Sequence, residues 1–122
     1  MIARIWRGWT SATNAGAYER LLLSEILPGI AARRIEGYGG ARLLRRDLGT
    51  EVEFLTILWF ASREAVAAFA GPDHEAAVVP PKARALLQRF DARSAHYETL
   101  RAPPGTGPDG AGPDGTPARG GG

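Results

Sequence analysis

The chain has 122 residues, a net charge of +2 and no cysteine. The missing thiols exclude a disulfide scaffold, thiolate catalysis and a cysteine-ligated zinc or iron–sulfur site. With only His74 and His96, a histidine-rich metal centre is not expected either. Residues 102–122 hold 8 of the 16 glycines and 5 of the 9 prolines, which divides the sequence into one domain (1–101) and a tail (102–122). Gly-Pro-Asp-Gly occurs twice in the tail, at 107–110 and 112–115. Such a segment cannot bury enough apolar area to offset its ordering entropy and reads as disordered.

The domain carries +3 and the tail −1, a weak field. Fourteen of the fifteen basic residues are arginine, which suits fixed, paired or anion-binding positions better than lysine. The doublets Arg33-Arg34 and Arg45-Arg46 fall short of the longer basic stripe with interleaved aromatics that a polyanion calls for, so no nucleic-acid partner is expected. No uncharged apolar run approaches the roughly 20 residues of a membrane helix. The stretch from Met1 to Arg7 alternates and is broken by charge, unlike a signal peptide. The expectation is a soluble, cytoplasmic protein without a membrane partner.

In chain order, residues 2–9 read Ile-Ala-Arg-Ile-Trp-Arg-Gly-Trp. Ile2 and Trp6 point one way and Ile5 and Trp9 the other, as in a strand covered on both faces. Residues 14–33 carry helical spacing, with Tyr18, Leu22 and Ile26 on one stripe. Pro28 lacks the N–H for a bond back to residue 24, so a kink or break is expected there. Ala41 to Asp47 is strand-like, and Asp47-Leu48-Gly49-Thr50 has the composition of a tight hairpin connection. Glu51 to Phe60 is the strongest strand, apolar on both faces and so central. Ser62 is a good helix N-cap with Glu64 in the first turn, and Gly71-Pro72 stops that helix. Pro80-Pro81 opens a further short helix, and Phe90 to Leu100 reads as the last strand.

Strand, helix, strand, strand, helix, strand is the ferredoxin-like βαββαβ order, an α+β fold. It places both helices on one face of a four-stranded antiparallel sheet. The other face would then expose a large apolar surface, which soluble monomers rarely do. A homodimer through the sheet face is therefore expected.

With this order, the domain resembles the antibiotic biosynthesis monooxygenase domain family, the small dimeric α/β-barrel proteins. The resemblance covers roughly residues 1–100. It rests on the Ile-Ala-Arg-Ile-Trp start, Leu27-Pro28-Gly29-Ile30 at the end of the first helix, the strand Val52 to Trp59-Phe60, and the Ser62-Arg63-Glu64-Ala65 helix leading to Phe69 and Asp73-His74-Glu75-Ala76. It implies a dimeric α/β barrel with a cavity between sheet and helices. Some members oxygenate anthrones, quinols or other electron-rich aromatics with O2 and neither metal nor flavin; others degrade haem. Haem-degrading members use a first-strand Asn, absent here, together with a Trp near the third strand and a His on the second-helix segment. Trp59 and His74 lie near those last two positions.

The reading is a cofactor-independent monooxygenase acting on an electron-rich aromatic. Such chemistry needs an apolar pocket, a proton relay and a cation for the developing oxyanion. His74 and His96 are the candidate relays and Arg4 or Arg7 the candidate oxyanion partners; Arg4 joins the two histidines as the catalytic set. Trp6, Phe54, Trp59, Phe69 and Tyr97 are the candidate ring-binding walls. One of the two arginines is expected in an ion pair with Glu53 or Glu98, and Tyr18 in packing. No metal site and no cofactor are expected. The alternative is a non-catalytic dimeric module that binds a small ligand or a partner; a haem-binding or haem-degrading protein ranks behind both.

Overall fold

Strand β1 (Ile2–Ser11) lies at the centre of a five-stranded antiparallel sheet, as its two-sided apolar pattern requires. Its partner β3 (Glu51–Phe60) pairs with it over the full length, Ile2 opposite Phe60 and Ser11 opposite Glu51. Strand β2 (Tyr38–Asp47) flanks β3 and gives the order β2-β3-β1-β4. A computed structural model supplies this description for residues 1–102; all of the tail beyond Ala102 lies outside the described residues.

The last strand differs from the sequence expectation. It is two short strands, β4 (Leu87–Phe90) and β5 (Ala95–Glu98), both antiparallel to β1. Between them the chain leaves the sheet. The Ala77 N–H donates to the Ala92 carbonyl, and Arg93 pairs with Ala76 and with the Asp73 carboxylate. Asp91 still donates to the Arg7 carbonyl of β1, whereas residues 92–94 bond to the loop at 75–77 instead. Strand β2 also starts earlier than expected, through Gly39 and Gly40, with a register shift between Tyr38 and Ala41.

The helical stripe forms α1 (Ala15–Leu21), a wider π-helical turn (Leu22–Ile26) and α2 (Leu27–Ala32). The expected disturbance before Pro28 takes the form of that π turn, and α2 resumes with the proline in its first turn, where a missing N–H costs little. Helix α3 (Arg63–Ala70) is capped as expected: Ser62 Oγ accepts from the Ala65 N–H at 3.1 Å. It ends at Gly71, whose φ of +91° suits glycine. Helix α4 (Pro81–Leu86) follows the loop 71–80.

Alternation on the paired strands sorts the side chains. Ile2, Arg4, Trp6, Val52, Phe54, Thr56, Leu58 and Phe60 share one face. Two core clusters lie there. Tyr18, Leu22, Val52, Phe54 and Ala83 form one; Leu58, Phe60, Ala65, Val66 and Phe69 form the other. The opposite face carries Ala3, Ile5, Arg7, Trp9, Glu53, Leu55, Ile57 and Trp59. Trp9 is already buried within one chain, with Arg89 4.0 Å and Arg7 5.2 Å from its ring centroid.

Candidate functional site

The two core clusters leave a cavity of about 60 Å³ between the sheet and the helices. Its walls are mostly apolar. Tyr18, Leu22, Ile26, Leu27 and Ile30 come from the first helical segment, Ala83 from α4, Phe69 from α3, and Val78 to Pro80 from the loop before α4. The sheet contributes Arg4, Trp6, Thr56 and Leu58, and Ser94 lies between β4 and β5. Arg4 is the one charged residue lining it.

Arg4 is 3% exposed, so its guanidinium must find partners inside the protein. Nη1 donates to the carbonyl of His74 and lies 2.9 Å from His96 Nε2; Nη2 donates to the carbonyl of Ala76 at 2.9 Å. Three of its five N–H donors are thereby used. The Nε–H and one Nη2–H have no partner among the described residues. The guanidinium also sits 5.3 Å from the Phe69 ring centroid. Burial lowers the Arg4 pKa from its ordinary value, with the Glu75 charge opposing that shift, but arginine stays cationic in any such setting.

Arginine has only donors, so His96 Nε2 must accept and the imidazole proton resides on Nδ1. The pairing across the strands makes this possible, because Arg4 on β1 stands opposite His96 on β5. Desolvation first, and the Arg4 charge second, hold the His96 pKa below its ordinary 6.5. The ring is therefore a neutral acceptor near neutral pH.

The structure gathers Arg4, Trp6 and Phe69 from the sequence candidates around the cavity. Trp6 is fixed by a hydrogen bond from Nε1 to the Asp91 carbonyl at 2.6 Å and by its ring against Phe90. His96 touches Arg4 without lining the cavity, and His74 reaches Arg4 through its main-chain oxygen. Phe54 does not line the cavity; it packs edge-on against Tyr18, with centroids 4.9 Å apart. Trp59 and Tyr97 belong to the opposite face of the sheet, opposite each other's neighbour Ala3, and Tyr97 is 58% exposed. The arginine ion pair also differs from expectation. Arg7 binds Asp91 at 3.0 Å, while Glu53 binds Arg46 at 2.8 Å. Glu98 stands opposite Ile2, two positions from Arg4, where His96 takes the facing place.

Tyr18, Thr56 and Ser94 are lining residues that the sequence reading did not single out as a site. The signal for Tyr18 was present, since Tyr18, Leu22, Ile26 and Ile30 recur every fourth residue and form one wall. Among the described residues no group of His, Asp and Glu is placed to hold a metal, and no helix is long and apolar enough to cross a membrane.

No protein-family model and no curated protein matches the chain. Solved structures do. One is a Bacillus cereus protein provisionally named an antibiotic biosynthesis monooxygenase, 14% identical, with a TM-score of 0.53 over 84% of this chain and 93% of that one. Another is Rv0793 from Mycobacterium tuberculosis, 23% identical, with a TM-score of 0.51 over 83% of this chain and 96% of that one. At these identities the likeness is one of fold. What they share with this chain is the α+β ferredoxin-like fold.

Proposed function

We propose that the protein is a cytoplasmic, homodimeric monooxygenase that oxidises a small electron-rich aromatic with O2 and no bound cofactor. One observation carries the reading: an apolar cavity where Arg4 is the single charged lining residue among the described residues, with two N–H donors that have no partner among them. A phenolate or enolate oxygen is the complement of such donors in an apolar setting. The ring, having lost a proton to solvent, gives one electron to O2; the two radicals combine into a ring hydroperoxide, whose O–O bond breaks to leave one oxygen as a new ring carbonyl while the other departs as water, so quinol and O2 give a hydroxyquinone and water with the substrate supplying all four electrons. Arg4 holds the developing oxyanion. His96, through its contact with Arg4 Nη1, is a positioning residue that keeps the guanidinium in place.

The cavity volume favours the quinol end of the substrate range. A closed void of about 150 Å³ takes up benzene, so even one ring exceeds this 60 Å³ space and enters only with the walls displaced and part of it in the mouth. An anthrone needs further displacement of Val78 to Pro80. Haem fits poorly, because pockets for ligands of that class run to about 300–1,000 Å³ and neither histidine lines the cavity. The small volume also favours, as a second reading, a dimeric module that binds a small aromatic without turning it over.

Oxygen uptake by chelator-treated protein with hydroquinones and anthrones tests the proposal. Uptake above the buffer rate, reduced at least tenfold by Arg4→Lys, is expected. Binding of the same compounds without uptake selects the second reading.

A further inference from the structure

Tyr18 was expected to be a packing residue, and its ring does pack on Phe54. Its hydroxyl is a different matter. Tyr18 is 1% exposed and lines the cavity from the helix side, across from Arg4 on the sheet. No hydrogen bond to its phenolic oxygen occurs among the described residues. The buried side-chain atoms that lack both a partner and any open space are Thr10 Oγ1 and Thr99 Oγ1. The Tyr18 oxygen is not among them and so keeps a little accessible surface, and Tyr18 is a residue of the cavity wall.

A buried hydroxyl without a partner costs free energy that a phenylalanine of nearly the same shape avoids. Ring packing alone therefore does not account for tyrosine at this place. Burial also pushes the phenol pKa well above its ordinary value, so the group stays a neutral O–H. It offers a donor into an apolar space. Arg4 offers donors from the other wall.

We propose that Tyr18 is the specificity-determining residue of the cavity, hydrogen-bonding a second oxygen of a ring whose first oxygen meets Arg4. The ligand class is a dioxygenated six-membered ring, a quinol or its quinone, rather than a mono-oxygenated or bare aromatic. This deepens the proposed function and rests on it. Tyr18 acts on recognition, and Arg4 on the charge that develops.

The test uses the full chain with hydroquinone and its apolar isostere p-xylene as probes, titrated calorimetrically into wild type and Tyr18→Phe. The expected result is about tenfold weaker hydroquinone binding in Tyr18→Phe, the value of one hydrogen bond, with p-xylene binding unchanged or tighter. The melting temperature of Tyr18→Phe without ligand should be unchanged or higher. A ratio of the two affinities that is the same in both proteins overturns the role of Tyr18 and leaves the proposed function standing. A fall of several degrees in melting temperature also overturns it, by showing that the hydroxyl already has a partner in the protein. If wild type binds neither probe, both proposals fall.

Discussion

Arg4 Nη1 and His96 Nε2 stand 2.9 Å apart on adjacent strands, a cation's donor against a neutral imidazole's acceptor. The contact exists only while His96 is unprotonated, because a second proton would set two donors against each other.

The first prediction follows from that contact. The His96 pKa is held below 6.5 in the native state. Between the native and unfolded pKa values the unfolded chain binds more protons, so stability rises with pH through that window. It is therefore fully present above about 6.5, declines as pH falls below it, and levels off below the lowered native value. Urea midpoints at pH 7.5 and 5.5 should show this decline in wild type and little of it in His96→Gln. The native carboxylates Asp73 and Glu51, lowered by hydrogen bonds from Arg93 and Arg89, respond chiefly below about pH 5 and do not confuse the comparison.

Removing the Arg4 guanidinium should be costly even where no substrate is present. Arg4→Leu orphans the carbonyls of His74 and Ala76. At roughly 1–3 kcal/mol for each of the two unsatisfied part-buried acceptors, the loss should be about 2–6 kcal/mol in urea unfolding. Arg4→Lys should recover part of it, since an ammonium reaches one of these acceptors but lacks the planar fork to span them.

Gly37 closes the turn into β2 with a φ of +89°. A Cβ there would lie 3.0 Å from Ala65 Cβ and 3.4 Å from Ala61 Cβ. Backbone strain and close packing act together, so Gly37→Ala should cost about 1–3 kcal/mol. Thermal melting should drop by roughly 5–20 °C for a domain of this size.

Much of the fold was legible because its signal is local. Alternation placed β1 and β3, Ser62 announced α3, and the four-residue spacing from Tyr18 placed the first helical segment. The break between β4 and β5 was not legible. It depends on Arg93 meeting Asp73 and Ala76 across the chain, and no local pattern encodes that meeting. The site was partly legible for the same reason. Arg4, Trp6 and Phe69 could be named as side chains, whereas the role of residues 74 and 76 is played by main-chain oxygens, which any residue type supplies. Trp59 and Tyr97 read as ring-binding walls, but register sends them to the other face.

That other face carries the expectation of a dimer. Ile5, Leu55 and Ile57 are half-buried there, and Leu44 and Tyr97 are exposed. Light scattering should give twice the 13.0 kDa chain mass at tens of micromolar, and Ile57→Arg should give the single-chain mass with an unchanged circular dichroism spectrum. A wild type that stays at the single-chain mass counts against the dimer.

The central claim is that chemistry takes place in the cavity beneath Arg4. Ala83 lines that cavity and is buried on α4, so Ala83→Leu fills it without replacing Arg4, His96 or Tyr18. The decisive measurement is oxygen consumption with hydroquinone by chelator-treated wild type and Ala83→Leu, both checked for fold by circular dichroism. Wild type should consume one O2 per substrate, above the buffer rate, and Ala83→Leu should return to the buffer rate. Equal rates in the two proteins, or a wild type no faster than buffer, would contradict that claim.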